Sequence, residues 1–208
     1  NKDLMSIIDG IKYGRMVTEN IIKYLIITLS SNFGNFYSIA IISLFINFLP
    51  LLPVQILLLN IISDFPMISI STDNVDLEQL KKPSKYALNL IGFMSTLFGL
   101  ISSIFDFVFF SLFFRFGEKI LQTGWFIMSI LTEIFVIFSL RTKKMFFKAV
   151  RPSFYLMILS IFAFIVTIFL PITQFGNKFF GFSYLNFNKI LILFGISTVY
   201  FITNEIIK

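Results

Sequence analysis

The chain has 208 residues, 57% of them hydrophobic and 13% charged, with 30 phenylalanines and a formal net charge of +6; this lies far from soluble globular usage and is proper to an integral membrane protein. It contains no cysteine and no histidine, which excludes disulfides, thiolate nucleophiles, Ser-His-Asp arrangements and the usual zinc and haem sites. The basic residues fall in short stretches beside apolar runs rather than in one patch, so they signal orientation in a bilayer and not a nucleic-acid partner.

Residues 1–23 are polar and amphipathic, with Ile7, Ile8, Ile11, Val17, Ile21 and Ile22 recurring at helical spacing, and predict a cytoplasmic stalk helix running into the first span. The segment lacks the compact apolar core and cleavage site of a signal peptide. Because it opens on Asn, the expectation is a piece of a longer polypeptide. Residues 24–208 then carry six apolar runs, near 24–49, 52–70, 90–114, 124–140, 154–171 and 189–206. A spanning helix needs about 20 residues at about 1.5 Å each. None of the runs shows the alternating polarity of a transmembrane barrel. The predicted fold class is therefore an all-α integral membrane protein, a six-helix transmembrane bundle with a cytoplasmic N-terminal stalk.

The first two runs meet at LPLLP, where Pro50 and Pro53 stop the helix and predict a tight hairpin capped by Asn47. Residues 71–86 are the most polar stretch; they predict a loop with a short surface helix, and Asp73, Asp76 and Glu78 read as solvated charges. Basic residues gather in the stalk, at Lys81, Lys82 and Lys85, and between Arg141 and Arg151, whereas the alternate loops hold only Arg115, Lys119, Lys178 and Lys189. That asymmetry places both termini in the cytoplasm of a multi-pass cell-membrane protein.

Three acidic residues stand inside apolar runs: Asp64, Asp106 and Glu133. Each costs about 2.5–3.5 kcal/mol at bilayer depth unless paired, protonated or coordinating. No Lys or Arg shares their depth, so a cation or a bound proton is the expected partner. Asn32 and Asn35 are three residues apart and Asn60 and Asp64 four apart, so each pair lies on one helix face. Pro66 removes a backbone N–H close by and is expected to break the helix. Asn32, Asn35, Asn60, Ser63 and Asp64 together offer the hard oxygen donors that a divalent cation requires. The bland reading makes the amides inter-helix glue, each interaction worth about 0.6–2 kcal/mol. Asp106 and Glu133 are further candidates for the cage or for a proton site, Asp106 with Ser102 one turn behind it as a local partner.

NKDLMSIIDGIKYGR with NIIKYLIITLSSNFGN, then LPLLPVQILLLNIISDFP, resembles the end of the phosphorylation domain and the fifth and sixth membrane helices of P-type cation-transporting ATPases. SSIFDFVFF, TGWFIMSILTEIF and SLRTKK are similar to the later helices of the magnesium-importing branch. The resemblance implies that the six runs are the last six of ten helices and that a cation site lies between them. The fifth-helix amide and carboxylate of calcium pumps fall on Asn32 and Asn35, the second an amide here. The sixth-helix ligands fall on Asn60 and Asp64, with Ser63 at a coordinating hydroxyl position. Glu133 falls near the eighth-helix acid of calcium pumps, where magnesium importers usually carry Gln, and Met128 stands where importers usually carry Glu.

The Asp-Lys-Thr-Gly phosphorylation motif and any phosphate-cradling glycine loop are absent from the sequence, so no catalytic residue and no nucleotide-binding residue is assigned. The expectation is the transport domain of a P-type ATPase moving a divalent cation, Mg²⁺ with Ca²⁺ as the alternative. ATP would act only through domains and four further helices supplied in cis or in trans. The remaining partners are membrane lipid and the cation. The competing expectations are a stand-alone secondary carrier and a non-transporting remnant.

Overall fold

The computed structural model describes residues 2–84 and 86–208; Asn1 and Lys85, the latter counted above among the cytoplasmic basic residues, lie outside it. The described residues form seven α-helices, short 3₁₀ turns and no strand. Six of the helices are long and apolar enough to cross a membrane, which accords with the predicted bundle.

α1 (Lys2–Ile42) is one unbroken helix of 41 residues, about 60 Å long at about 1.5 Å per residue and so roughly twice a bilayer core. Near its start Leu4, Met5, Ile7, Ile8 and Ile11 are exposed, whereas Arg15 donates to the Leu80 and Lys81 carbonyls and Asn20 to those of Ser71 and Asp73, which ties the helix to residues 71–81. It ends at Ile42 rather than continuing to 49: Leu44 and Phe45 turn back onto the carbonyls of Ile41 and Ile42. Asn47 then sits exposed in the following bend and not at a helix end. Leu52, forced extended by the proline after it (φ −70°, ψ 148°), leads into α2 (Pro53–Ser69) with Pro53 in the first turn. The Gln55 side chain accepts from the Leu52 N–H at 3.0 Å and donates to the Phe180 carbonyl at 2.8 Å, which ties the hairpin to the far end of the bundle.

Pro66 does not break α2, which runs through it to Ser69. Its missing N–H leaves only the Ile62 carbonyl without its usual donor. Residues 70–84 carry a 3₁₀ turn and bends but no surface helix among those described. α3 (Leu88–Phe113) packs along α1 more extensively than any other pair of helices touches. A Cβ added to Gly34 would lie 2.8 Å from the Ser102 Cβ, and one added to Gly99 2.8 Å from the Phe33 Cβ. The two backbones therefore approach as only small residues allow, and the Ser103 hydroxyl bridges the crossing by donating to the Gly34 carbonyl at 3.1 Å.

Gly117, at φ 91°, turns the chain into α4 (Glu118–Leu140). α4 is the central helix: every residue from Leu121 to Ile134 is buried. Phe109, Phe110 and Phe113 of α3 pack with Trp125 and Phe126 in the main core, the Phe110 and Trp125 rings edge-to-face at 4.7 Å. α5 (Phe154–Phe169), begun by the Ser153 side chain accepting from the Leu156 N–H, and α7 (Phe187–Ile207) lie outside, joined through a short α6 (Gln174–Phe180). They expose Phe154, Tyr155, Ile161, Phe162, Ile202 and Ile206, a surface that hydrocarbon would cover.

The acids of the 71–86 loop are not all solvated charges. Asp73 is 0% and Asp76 6% exposed. The Arg141 guanidinium grips Asp73 through Nε at 2.7 Å and Nη2 at 3.2 Å, while Asp73 Oδ1 also accepts from the Ser153 N–H at 2.8 Å. Asp76 accepts from the Thr142 hydroxyl at 2.6 Å and the Val150 N–H at 3.0 Å. Burial works to raise the Asp76 pKa, yet these two hydrogen bonds and the Lys144 and Lys23 charges outweigh it and hold the carboxyl below its ordinary value. Only Glu78 remains exposed, paired with Lys144 at 3.1 Å. The loop is thus clamped onto the α4–α5 connection.

Candidate cation site between the first, second and fourth helices

Polar residues on α1 recur as Thr28, Ser31, Asn32 and Asn35, and on α2 as Asn60, Ser63 and Asp64, with the Met67 thioether completing the row. Both sets follow the i, i+3, i+4, i+7 spacing that places side chains in one stripe along a helix. The two stripes meet over a cavity of about 230 Å³, whose third wall is Glu133 of α4. Of the five residues expected to bind metal, Asn32, Asn60, Ser63 and Asp64 line this cavity.

Asn35 stands one step behind. Its Nδ2 donates to Glu133 Oε1 at 2.9 Å, which fixes the carboxylate and leaves Glu133 Oε2 buried with no hydrogen-bond partner. The Ser31 hydroxyl, also in the cavity wall, is likewise buried and unpartnered. Ser63 donates weakly, at 3.4 Å, to the Asn60 carbonyl one turn before it. Glu133 and Ser63 are buried, whereas Asn32, Asn60 and Asp64 face the open side.

The donor set consists of two carboxylates, two amide oxygens and the hydroxyls of Thr28, Ser31 and Ser63, with no Lys or Arg among the lining residues. Oxygen donors with two formal negative charges fit a hard divalent cation that keeps some of its water. The Met67 thioether, 3.9 Å from the Thr28 hydroxyl, is too soft to ligate such an ion. Among the described residues no three of His, Cys, Asp and Glu cluster as they would in an all-carboxylate metal site.

Asp106 belongs elsewhere. It is 2% exposed, and both of its oxygens are engaged: Ser38 of α1 donates to Oδ2 at 2.6 Å and the Trp125 indole N–H of α4 donates to Oδ1 at 3.0 Å. Both hydrogen-bond donors thus come from other helices and neither is Ser102. This knot fastens α3 to α1 and α4 below the cavity, since Ser38 lies one turn past Asn35 on the same face of α1. Thr28 and Ser31, outside the set expected from the sequence, also line the cavity, and the i, i+3, i+4, i+7 spacing is the signal that points to them.

Six membrane-length helices, three of which enclose a partly open cavity of hard oxygen donors, have the make-up of a membrane domain of the cation-transporting class. The profile of the family described as "Cation transporting ATPase, C-terminus" matches residues 48–208. The chain is 33% identical to "Magnesium-transporting ATPase, P-type 1" of Salmonella typhimurium (strain LT2) over 183 residues, and 35% identical to the protein of the same name from Escherichia coli (strain K12), also over 183. Both matches cover 85% of this chain and 20% of the relative. A second Salmonella typhimurium (strain LT2) protein of that name is 36% identical over 182 residues. The chain belongs to the cation-transporting ATPase family and corresponds to its C-terminal membrane region. It spans about a fifth of the length of these relatives.

Proposed function

We propose that this chain is the transport domain through which a P-type ATPase carries Mg²⁺ across the cell membrane. The observation that supports this most is the meeting of two polar helix stripes over a cavity that Glu133 closes. In this reading the cation is ligated by Asn32, Asn60, Ser63 and Asp64 together with Glu133 Oε2, Ser31 and retained water. Asn35 orients Glu133 rather than binding the ion. The names of the relatives support Mg²⁺ over Ca²⁺, and the mixture of few carboxylates with amides and hydroxyls suits an ion that dehydrates reluctantly.

The chemistry asked of these residues is binding and release. Phosphoryl transfer from ATP belongs to cytoplasmic domains which, with four further helices, are supplied in cis or in trans. α1 couples the two: one continuous helix carries both the stalk and Thr28, Ser31, Asn32 and Asn35. A tilt of the stalk would move that stripe against Asn60 and Asp64 and alter cation affinity and access. Both termini face the cytoplasm, a reading that rests on the excess of Lys and Arg at that end of the bundle. When the chain is joined with the phosphorylation domain and the first four helices, Asp64→Asn is expected to abolish Mg²⁺ uptake. Unchanged uptake would reject the assignment.

A further inference from the structure

A second cavity, of about 290 Å³, opens at the stalk end of the bundle and shares no lining residue with the candidate cation site. It is lined by α1 residues from Glu19 to Ile26 and α3 residues from Leu90 to Phe98, on the stalk side of the close crossing at Gly34 and Gly99. One wall is polar. Lys23 is only 6% exposed, lines the cavity, and its ammonium has no hydrogen-bond partner. Both side-chain polar atoms of Gln79, in the same wall, are buried and unpartnered as well. A buried ammonium without an acceptor is costly, so a group that supplies acceptors there is strongly favoured.

Glu19 and Ser84 also line the cavity, and the buried Glu19 carboxylate accepts from the Ser84 hydroxyl. Lys208, also in the wall, is taken up by Glu205 and the Ser139 carbonyl. Asp73 and Asp76 are held by Arg141, Thr142 and backbone N–H groups. That leaves Lys143, exposed at the rim, as an additional cation over the cavity. The opposite wall is apolar: Leu90, Met94 and Phe98 follow one another at i, i+4 and i+8 down a single face of α3.

We propose that this cavity binds the phosphate headgroup of an anionic membrane phospholipid, with Lys23 and Gln79 donating to phosphate oxygens, Lys143 neutralising the headgroup charge and an acyl chain lying along Leu90, Met94 and Phe98. A cationic, hydrogen-bond-donating end joined to an apolar column at the membrane boundary matches the two halves of such a molecule. A free phosphate would use the first half alone.

The test is native mass spectrometry of the purified chain in detergent with phosphatidylglycerol or phosphatidylcholine, repeated for Lys23→Gln, Lys143→Gln and Lys119→Gln. The last residue lies at the opposite end of the bundle and serves as control. One phosphatidylglycerol is expected to remain bound, at least about tenfold more tightly than phosphatidylcholine, and Lys23→Gln is expected to remove that preference, as loss of a charge-assisted hydrogen bond implies. Lys143→Gln should weaken retention, Lys119→Gln should not, and millimolar inorganic phosphate should not displace the lipid. Equal retention of the two lipids overturns the proposal. Displacement by inorganic phosphate overturns it too, in favour of a free-anion site. Should Lys23→Gln fail to fold, unchanged retention in both Lys143→Gln and Gln79→Leu has the same force.

Discussion

Glu133 and Asn35 illustrate how much of the site depends on single atoms. Asn35 occupies one oxygen of Glu133 and so turns the other, unpartnered one into an available donor. Asn35→Ala is therefore expected to weaken cation binding by about tenfold while leaving the fold intact, the equivalent of one hydrogen bond to a charged group; cation titration of the variant checks this, and unaltered affinity would show that Glu133 needs no orienting. Sequence spacing was sufficient to bring Asn32, Asn60, Ser63 and Asp64 to one cavity, because helical periodicity converts directly into a shared face. It could not reveal that Asn35 bonds Glu133, the contact that makes it a support in the proposed reading. That contact joins residues 98 positions apart, and no local pattern encodes it. The partner of Asp106 was hidden for the same reason: it is Ser38, 68 residues distant, and not the neighbouring Ser102.

At the scale of elements, the helices were legible because hydrophobic runs of spanning length leave the backbone few alternatives. The clamp between loop and loop was not, since acids in a polar stretch look the same whether solvated or buried. Removing one partner of the Asp73–Arg141 pair strands a buried charge, so Asp73→Ala or Arg141→Ala is expected to destabilise the chain by about 3–5 kcal/mol, read as a fall in thermal midpoint; a change near zero would mean that water reaches the pair. Asp76 adds a pH dependence of definite sign. Its folded pKa is below the ordinary value, so its contribution is present above the unfolded carboxylate pKa and is lost as pH falls through the lowered folded value. Acidification from neutrality should therefore cost the native chain more stability than it costs Asp76→Asn; parallel pH profiles would contradict this. At the close crossing of α1 and α3, Gly99→Leu is expected to cost about 1–3 kcal/mol by overpacking, checked by the same thermal measurement.

For the molecule as a whole, the proposed reading makes α1 a lever attached to an ion cavity. α1 runs without interruption from stalk to site, and α4 forms the enclosed post against which α1 and α2 present their stripes. The open side of the cavity, at Asn32, Asn60 and Asp64, is where the four further helices of a complete pump would close it in the proposed reading. Binding to the folded state alone must raise stability by mass action. The measurement that addresses the central claim most directly is thermal unfolding of the purified chain across an Mg²⁺ titration, with Asp64→Asn and Glu133→Gln in parallel. The native chain should gain about 2.7 kcal/mol at a hundredfold excess over its dissociation constant, and both variants should lose that gain. An Mg²⁺ response that is absent from the native chain, or equal in all three proteins, would contradict a cation site between these helices.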